Sequence, residues 1–208
     1  MYLVRHAESL ENSMIADFKM LAGIWPTPEG QPRPSIWNLT GLLNVPALVD
    51  CPLSDTGVKQ ATNLEVFCKN YNGGAGFIPT VCPAGEPCLV VHSPLRRARQ
   101  TCHSATGLAV ANYQEKEYDY TSGGFPSSDA NVSVIEQPLL LEKTPVEWLP
   151  GMGGRLAERI ENFKAWVEGR QEERIVVVGH SQWFRKMLGM EKKVRTNAAG
   201  SSSLQNIR

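Results

Sequence analysis

The sequence YLVRHAESLEN, residues 2–12, begins with a short apolar run and becomes polar at Arg5 and His6. A buried strand of a parallel sheet carries reactive side chains to the carboxyl edge in this way. The guanidinium of Arg5 is a permanent cation whose planar fork matches two phosphate oxygens. A neutral imidazole nitrogen of His6 can attack phosphorus, and the neighbouring cation favours the neutral ring. The stretch therefore predicts a strand end that binds and attacks a phosphoryl group.

Two further stretches have the same form, an apolar run followed by cationic or imidazole side chains. LVVHSPLRRARQT, residues 89–101, supplies Arg97 among several arginines, and IVVVGHSQWF, residues 175–184, supplies His180. Because the carboxyl ends of parallel strands meet at one edge of the sheet, three such junctions predict a single anion site. Apolar residues at helical spacing predict the connecting helices, which lie at about 13–22, 54–71, 96–105, 153–169 and 181–188.

Taken together, three motifs resemble those of the histidine phosphatase superfamily, the phosphoglycerate mutase-like proteins. They are RHAES at residues 5–9 with Asn12, SPLRRARQT at residues 93–101, and GHS at residues 179–181, in this order. The resemblance covers most of the chain. It implies an α/β fold, a three-layer α/β/α sandwich with a mostly parallel central sheet of the phosphoglycerate mutase-like kind, extended by loop insertions.

The resemblance also implies the roles of the catalytic residues. His6 would attack the phosphorus of a bound monoester and form a phosphohistidine intermediate. Arg5, Arg97 and His180 would hold the non-bridging oxygens and offset their charge. Of the arginines in the second motif, Arg97 occupies the phosphate-binding position of the family, just before Ala98.

Three further polar residues of the motifs have supporting roles in this interpretation. Asn12 would bind substrate with its amide, and Ser181 would either donate to phosphate or cap the helix that follows it. Glu8 is expected to orient the loop of the first motif rather than to act as an acid.

The proton donor is the variable part of the pattern. In the family an acidic residue follows a leucine-rich stretch, which here is PLLLE at residues 138–142. Glu142 is therefore the favoured donor, protonating the leaving oxygen and later taking a proton from water. The usual continuation is altered to EKTPVEW, residues 142–148, so Glu147 stays a competing candidate.

We expect a single histidine phosphatase domain over residues 1–208, with insertions at about 23–50 and 112–133. The first insertion holds five prolines and two tryptophans, which predicts an ordered loop without regular helix. It is either a lid or substrate wall contacted through Trp25 and Trp37, or a loop packed on the flank of the fold. The second insertion is polar, and is either a mobile flap or a segment without function.

The implied activity is that of a histidine acid phosphatase-like phosphomonoesterase, a hydrolase. A phosphoglycerate mutase proper would have Trp-Asn after Glu-Ser, whereas here Glu11 precedes Asn12, which favours hydrolysis over mutase-type phosphoryl transfer. A catalytically inactive binding module of the same fold is a further alternative. The substrate would be a phosphorylated small molecule or a phosphoprotein. Fixed arginines supply the positive charge, so we expect neither a metal nor another cofactor.

The amino-acid composition narrows the class of protein and the kinds of partner. The 208 residues are 42% apolar and 20% charged, with 21 basic and 21 acidic residues, as in an ordinary globular protein. This balance favours neither a nucleic-acid nor a membrane partner. The amino terminus has no basic segment before an apolar one, so no signal peptide is expected. Oligomeric state is not indicated.

Five cysteines without a C-x-x-C pair predict reduced thiols and a cytoplasmic location. Cys82 and Cys88 bracket a turn rich in proline and glycine, and this pair can form a disulfide if oxidised.

Overall fold

A computed structural model describes residues 1–30, 32–35, 50–108, 132–142, 154–190 and 205–206. Its strands are β1 Tyr2–Arg5, β2 Cys88–His92, β3 Val132–Glu136, β4 Arg174–Gly179 and β5 Gln205–Asn206. They form one sheet in the order β3-β2-β4-β1-β5. The first four strands are parallel to their neighbours, and β5 pairs antiparallel with β1 at the edge. The predicted mostly parallel sheet is confirmed.

Helices connect and follow the strands. They are α1 Leu10–Leu21, α2 Asp55–Lys69, α3 Tyr71–Gly74, α4 Phe77–Val81, α5 Arg96–Thr106, α6 Gly154–Glu168 and α7 Ser181–Met187, with a short 3-10 helix at Pro138–Leu140. The five predicted helices are confirmed, although α1 begins three residues earlier than expected because Ser9 caps it. Among the residues described, no helix combines the length and apolar character that a membrane span requires.

Alternate residues of each strand face opposite sides of the sheet, and each side carries its own apolar core. On one side, Val4, Val90, Val176 and Val178 pack with Leu64, Cys68, Phe77 and Cys102 of α2, α4 and α5. On the other side, Leu3, Leu89, Val91 and Val177 pack with Ile160, Phe163, Trp183 and Phe184 of α6 and α7. Two helical layers therefore cover the sheet, which confirms the predicted α/β/α sandwich.

The strand register brings the polar strand ends to one edge. Arg5 pairs with Gly179, and His92 pairs with Val178. Two backbone hydrogen bonds continue the ladder, from His6 N to Gly179 O at 2.9 Å and from Ser93 N to Val178 O at 3.0 Å. The three central strands thus end side by side, and the residues that follow them share one edge as predicted.

The loop of the first motif is fixed against the start of α2. Ser54 N donates to Glu8 O at 3.0 Å, and Ser54 Oγ donates to Glu8 Oε1 at 2.7 Å. Ser54 also caps α2 by accepting from Gly57 N. Glu8 orients this loop, in agreement with the role expected from the sequence.

One cysteine pair departs from the expectation of reduced thiols. Cys82 and Cys88 form a disulfide with their Cα atoms 5.4 Å apart. The Pro83-centred turn between them, closed by a hydrogen bond from Glu86 N to Pro83 O, brings the two ends together. Disulfides persist mainly in oxidising compartments, so the cytoplasmic location stays a prediction. Cys51, Cys68 and Cys102 are free and buried.

Gly57 is the position where a side chain would disturb this loop most. A Cβ there would collide with the carbonyl oxygen of Glu8 and lie 2.9 Å from its carbonyl carbon. We expect Gly57→Ala to lower the free energy of unfolding by about 1–3 kcal/mol, because the loop must move to make room. Urea unfolding measures this loss.

Gly169→Ala is the matched control. A Cβ at Gly169 meets only ordinary van der Waals contacts, at 3.7 Å and beyond. Equal stability of the two variants would show that the close approach at Gly57 does not constrain the motif loop.

Candidate active site

His6 follows β1 and is buried. Its Nδ1 lies 2.6 Å from the carbonyl oxygen of Ala7. An Nδ1–H donated to this carbonyl leaves the lone pair on Nε2. The backbone N–H of Ala7 donates to Thr101 Oγ1 at 3.0 Å, and Thr101 Oγ1 donates to Arg97 O at 2.8 Å. The first and second motifs are therefore bonded to each other directly beside His6.

His180 follows β4 and is the N-cap residue of α7. Its side chain is fully buried, and its ring centre lies 4.9 Å from that of His6. The Nε2 atom lies 2.9 Å from Ser93 Oγ, another fully buried group. Ser93 therefore sets the orientation of the His180 ring and directs its Nδ1 atom into the site.

Arg97 brings two carboxylates to the same place. Its side chain is buried, and its Nη2 atom lies 2.5 Å from Glu142 Oε2 and 3.6 Å from Glu11 Oε2. His180 Nδ1 lies 3.2 Å from the same Glu142 oxygen. The Sγ atom of Cys51 accepts from Arg97 Nη1 at 3.8 Å. One guanidinium therefore contacts two acids, and Glu142 links it to the imidazole of His180.

Burial makes both imidazoles weak bases. It lowers the pKa of His6 to about 3, and the charges of His180 and Arg97 act in the same direction. Burial also lowers the pKa of His180, against the opposing effect of Glu142. At neutral pH the lone pair of His6 is therefore free for attack or for binding a cation.

The two carboxylates are shifted in opposite directions. Burial favours the neutral form of Glu142, but its contacts with His180 and Arg97 outweigh burial and hold its pKa well below the ordinary range. Burial raises the pKa of Glu11, and the charge of Glu142 adds to this effect. Glu142 is the ionised partner of Arg97, and Glu11 is the weaker acid beside it.

The structure thus brings together four of the predicted catalytic residues: His6, Arg97, Glu142 and His180. Arg5 differs from them, because its side chain is exposed at the end of β1 while its backbone pairs with Gly179. In the part of the chain that the structure describes, its guanidinium is not among the groups that contact the Glu142 carboxylate.

Asn12 and Ser181 lie at the starts of helices, and their predicted contacts with substrate stay predictions. The side-chain oxygen of Asn12 accepts from Ser9 N and Ser9 Oγ, at 3.5 and 3.1 Å, in a capping box that begins α1. Ser181 is the first residue of α7 and half-buried, and His180 rather than Ser181 is the N-cap. The alternative that Ser181 caps the helix is therefore wrong.

Several predictions fall partly outside the described residues. Glu147, Trp37 and most of the segment 112–133 lie outside them. Trp25 is described and exposed, and the ammonium nitrogen of Lys19 lies 4.3 Å from its ring centre.

Sequence reasoning missed the residues that hold the site. Ser93 and Thr101 stand at the two ends of the SPLRRARQT motif, so their motif membership was the available signal. Glu11 was noted only as a departure from the mutase pattern, although it contacts Arg97. Cys51 had no signal, because its place depends on how the segment before α2 folds back onto Arg97.

The lowered pKa of His6 makes a testable difference to titration and stability. We expect its ring to stay neutral between about pH 5 and pH 8 in the folded protein, as measured by NMR of the imidazole carbons. The unfolded chain takes up a proton below the ordinary value of 6.5, whereas the folded chain does so only near 3. The stability contribution of neutral His6 is therefore complete above 6.5 and lost toward 3, at about 1.4 kcal/mol per pH unit.

The protein unfolded in urea provides the reference, since its histidine rings should titrate near the ordinary value. A His6 ring that titrates alike in the folded and unfolded protein would contradict the buried, neutral imidazole. In urea unfolding experiments, the His6→Asn variant should lose less unfolding free energy than the native protein as the pH falls from 6.5 toward 3.

Comparison with known proteins gives remote structural similarity only. No protein-family model matches the chain, and neither does a curated protein sequence. The alpha-ribazole phosphatase of Shigella flexneri is similar at 16% identity and a TM-score of 0.46, over 91% of this chain and 77% of that one. A mycobacterial glucosyl-3-phosphoglycerate phosphatase is similar at 16% identity and a TM-score of 0.43, over 91% and 80%. The phosphoserine phosphatase of Entamoeba histolytica has 16% identity and a TM-score of 0.41, over 90% and 76%.

Proposed function

We propose that this protein is a phosphatase that hydrolyses phosphate monoesters through a phosphohistidine intermediate on His6. The observation that carries the proposal is a buried imidazole with a free Nε2 lone pair in the same site as a buried guanidinium. The resemblance of the three sequence motifs to the histidine phosphatase superfamily supports the same activity.

The reaction runs in two displacements. His6 Nε2 attacks the phosphorus, the bond to the ester oxygen breaks, and Glu142 protonates that leaving oxygen. Water then attacks the phosphohistidine, Glu142 accepts its proton, and the P–N bond breaks to release phosphate. Arg97 and His180 bind the non-bridging oxygens and stabilise the charge that they carry in both transition states. Arg5, exposed at the end of β1, adds a positive charge that attracts the anionic substrate.

Glu142 must carry a proton when the ester bond breaks, although its contact with Arg97 favours the ionised form. In this mechanism, substrate binding itself causes Glu142 to become protonated. A phosphate dianion is a stronger partner for Arg97 than one carboxylate, so it takes over the guanidinium. Without this contact, and next to the phosphate charges, the pKa of Glu142 rises and the group becomes a proton donor.

Hydrolysis is proposed rather than mutase-type transfer because Glu11 stands before Asn12 in place of the tryptophan of the mutase pattern. The substrate class is a phosphorylated small molecule or the phosphorylated side chain of a protein. An inactive binding module of the same fold is the second candidate, and measurable turnover that depends on His6 excludes it.

The deciding experiment measures hydrolysis of an aryl phosphate in the presence of a metal chelator. We expect His6→Ala to lower kcat by about ten-thousand-fold or more, because it removes the nucleophile. Arg97→Gln should lower it by about a hundred- to a thousand-fold through lost charge stabilisation. Arg174→Gln is the matched arginine control, because Arg174 pairs with Glu86 at the opposite edge of the sheet and should retain full activity.

Two results would contradict the proposal. Equal turnover by the native protein and His6→Ala would mean that His6 is not the nucleophile. A folded native protein without turnover of aryl phosphate or of a panel of phosphorylated small molecules and phosphopeptides would favour the binding module.

Glu11, the second carboxylate that contacts Arg97, leads to a separate prediction. A negative charge on Glu11, 3.6 Å from Arg97 Nη2, opposes the binding of an anion at the same guanidinium. We expect Glu11→Gln to tighten inhibition by orthovanadate about three- to tenfold, as measured by inhibition constants. Glu161→Gln, which removes an exposed carboxylate paired with Lys164, is the control and should leave inhibition unchanged. Weaker inhibition of the Glu11→Gln variant would show instead that Glu11 helps to hold the anion.

A further inference from the structure

We propose that His6, His180 and Glu142 also form a binding site for Zn²⁺. Each residue offers one ligand atom, and the three atoms lie within 4.8 Å of one another. Two imidazoles and one carboxylate are a donor set that zinc accepts in three-ligand sites, with the fourth position left open. The proposal concerns a cation at the site for which an anion was proposed above, and zinc binding itself does not require that the protein be a phosphatase.

The hydrogen bonds of both rings prepare them as ligands. A metal-bound histidine usually donates its other ring N–H to a carbonyl or another oxygen, which fixes the ring. His6 Nδ1 has the Ala7 carbonyl as partner, and His180 Nε2 has Ser93 Oγ. The remaining atoms, His6 Nε2 and His180 Nδ1, are the ones available to a metal. His180 is fully buried, and its Nδ1 atom has no hydrogen-bond partner of good geometry.

The spacing suits zinc after a small adjustment. With metal–ligand bonds of about 2.1 Å, tetrahedral ligands lie about 3.4 Å apart. His180 Nδ1 and Glu142 Oε2 are already 3.2 Å apart. The widest separation in the set is at most 4.8 Å, so it must shorten by no more than about 1.4 Å for a regular site, which small shifts of the side chains would provide. Calcium and magnesium prefer oxygen ligands, so this nitrogen-rich set selects against them.

Arg97 opposes the metal and thereby gives the proposal a distinctive test. Its Nη2 atom lies 2.5 Å from the same Glu142 oxygen that would bind zinc. A zinc ion must displace this contact and tolerate the nearby cation, so Arg97 favours anions over metal ions in the site. Removing the guanidinium should weaken phosphate binding and strengthen zinc binding at once, whereas an unrelated surface metal site would not respond.

Zinc at this position would occupy the lone pair of His6 and the carboxylate of Glu142. Both groups are needed for the proposed hydrolysis, so zinc would act as a reversible inhibitor that a chelator removes.

The test is a titration of the untagged, metal-free native protein with ZnCl₂. Binding is measured by calorimetry and by NMR of the histidine rings. We expect one zinc per chain, with shifts of the His6 and His180 ring signals and none for His92 or His103. Glu142→Gln should weaken binding at least about tenfold, as loss of a direct ligand costs no less than loss of an outer partner. His103→Gln should bind zinc like the native protein, and Arg97→Gln should bind it more tightly.

Absence of zinc binding would overturn the proposal, and so would binding that leaves the His6 and His180 signals in place. Titration with Co²⁺ checks the ligands independently, because a thiolate–cobalt absorption band would assign the metal to a cysteine such as Cys51. Zinc binding with the expected ring shifts in a protein that hydrolyses no phosphate ester would uphold the zinc site and reject only the proposed phosphatase activity.

Discussion

The parallel register of β1, β4 and β2 is the constraint on which the site depends. Backbone hydrogen bonds to Gly179 O and Val178 O extend the ladder by one residue beyond the strands. They fix the backbone positions of His6 and Ser93. His180 follows Gly179 on the middle strand of the three. A slip of one residue would turn every strand side chain to the other face and bury the wrong groups at this edge. The register thus places the two imidazoles side by side, with ring centres 4.9 Å apart.

Burial also determines which charged side chains can lie at this edge of the sheet. A buried guanidinium without a partner is strongly unfavourable, and a buried ion pair is tolerated only with good geometry. Arg97 meets this requirement with Glu142, a residue that follows the 3-10 helix Pro138–Leu140. The carboxylate therefore stands in for the anion that the guanidinium is suited to bind. In the proposed mechanism, anion binding is an exchange of partners at Arg97. The desolvation of the guanidinium is already offset within the folded chain, and the released Glu142 becomes the proposed proton donor.

The sheet, both helical layers and the clustering of four of the five candidate catalytic residues could be predicted from the sequence, because apolar periodicity and the order of polar strand ends are local signals. The rest depended on contacts between distant segments. The capping box of Asn12 with Ser9 is a local exception, because both residues lie in the first motif. The position of Glu11 on Arg97 follows from where α1 lies after the motif loop. The Cys82–Cys88 disulfide depends on a turn that composition only suggested.

Much of the motif sequence builds the site rather than reacting in it. Glu8 ties the first loop to α2, Thr101 ties the second motif to Ala7, and Ser93 orients His180. A chain of this fold would need these residues to hold its loops whether or not it turned over a substrate. The presence of these residues is therefore evidence for the fold and not for catalysis. Evidence for catalysis has to come from the proposed reacting groups. Among these, the buried His6 weighs most, because its Nε2 lone pair lies beside the Arg97–Glu142 pair, whereas His92, which is also buried, is not part of this group of side chains.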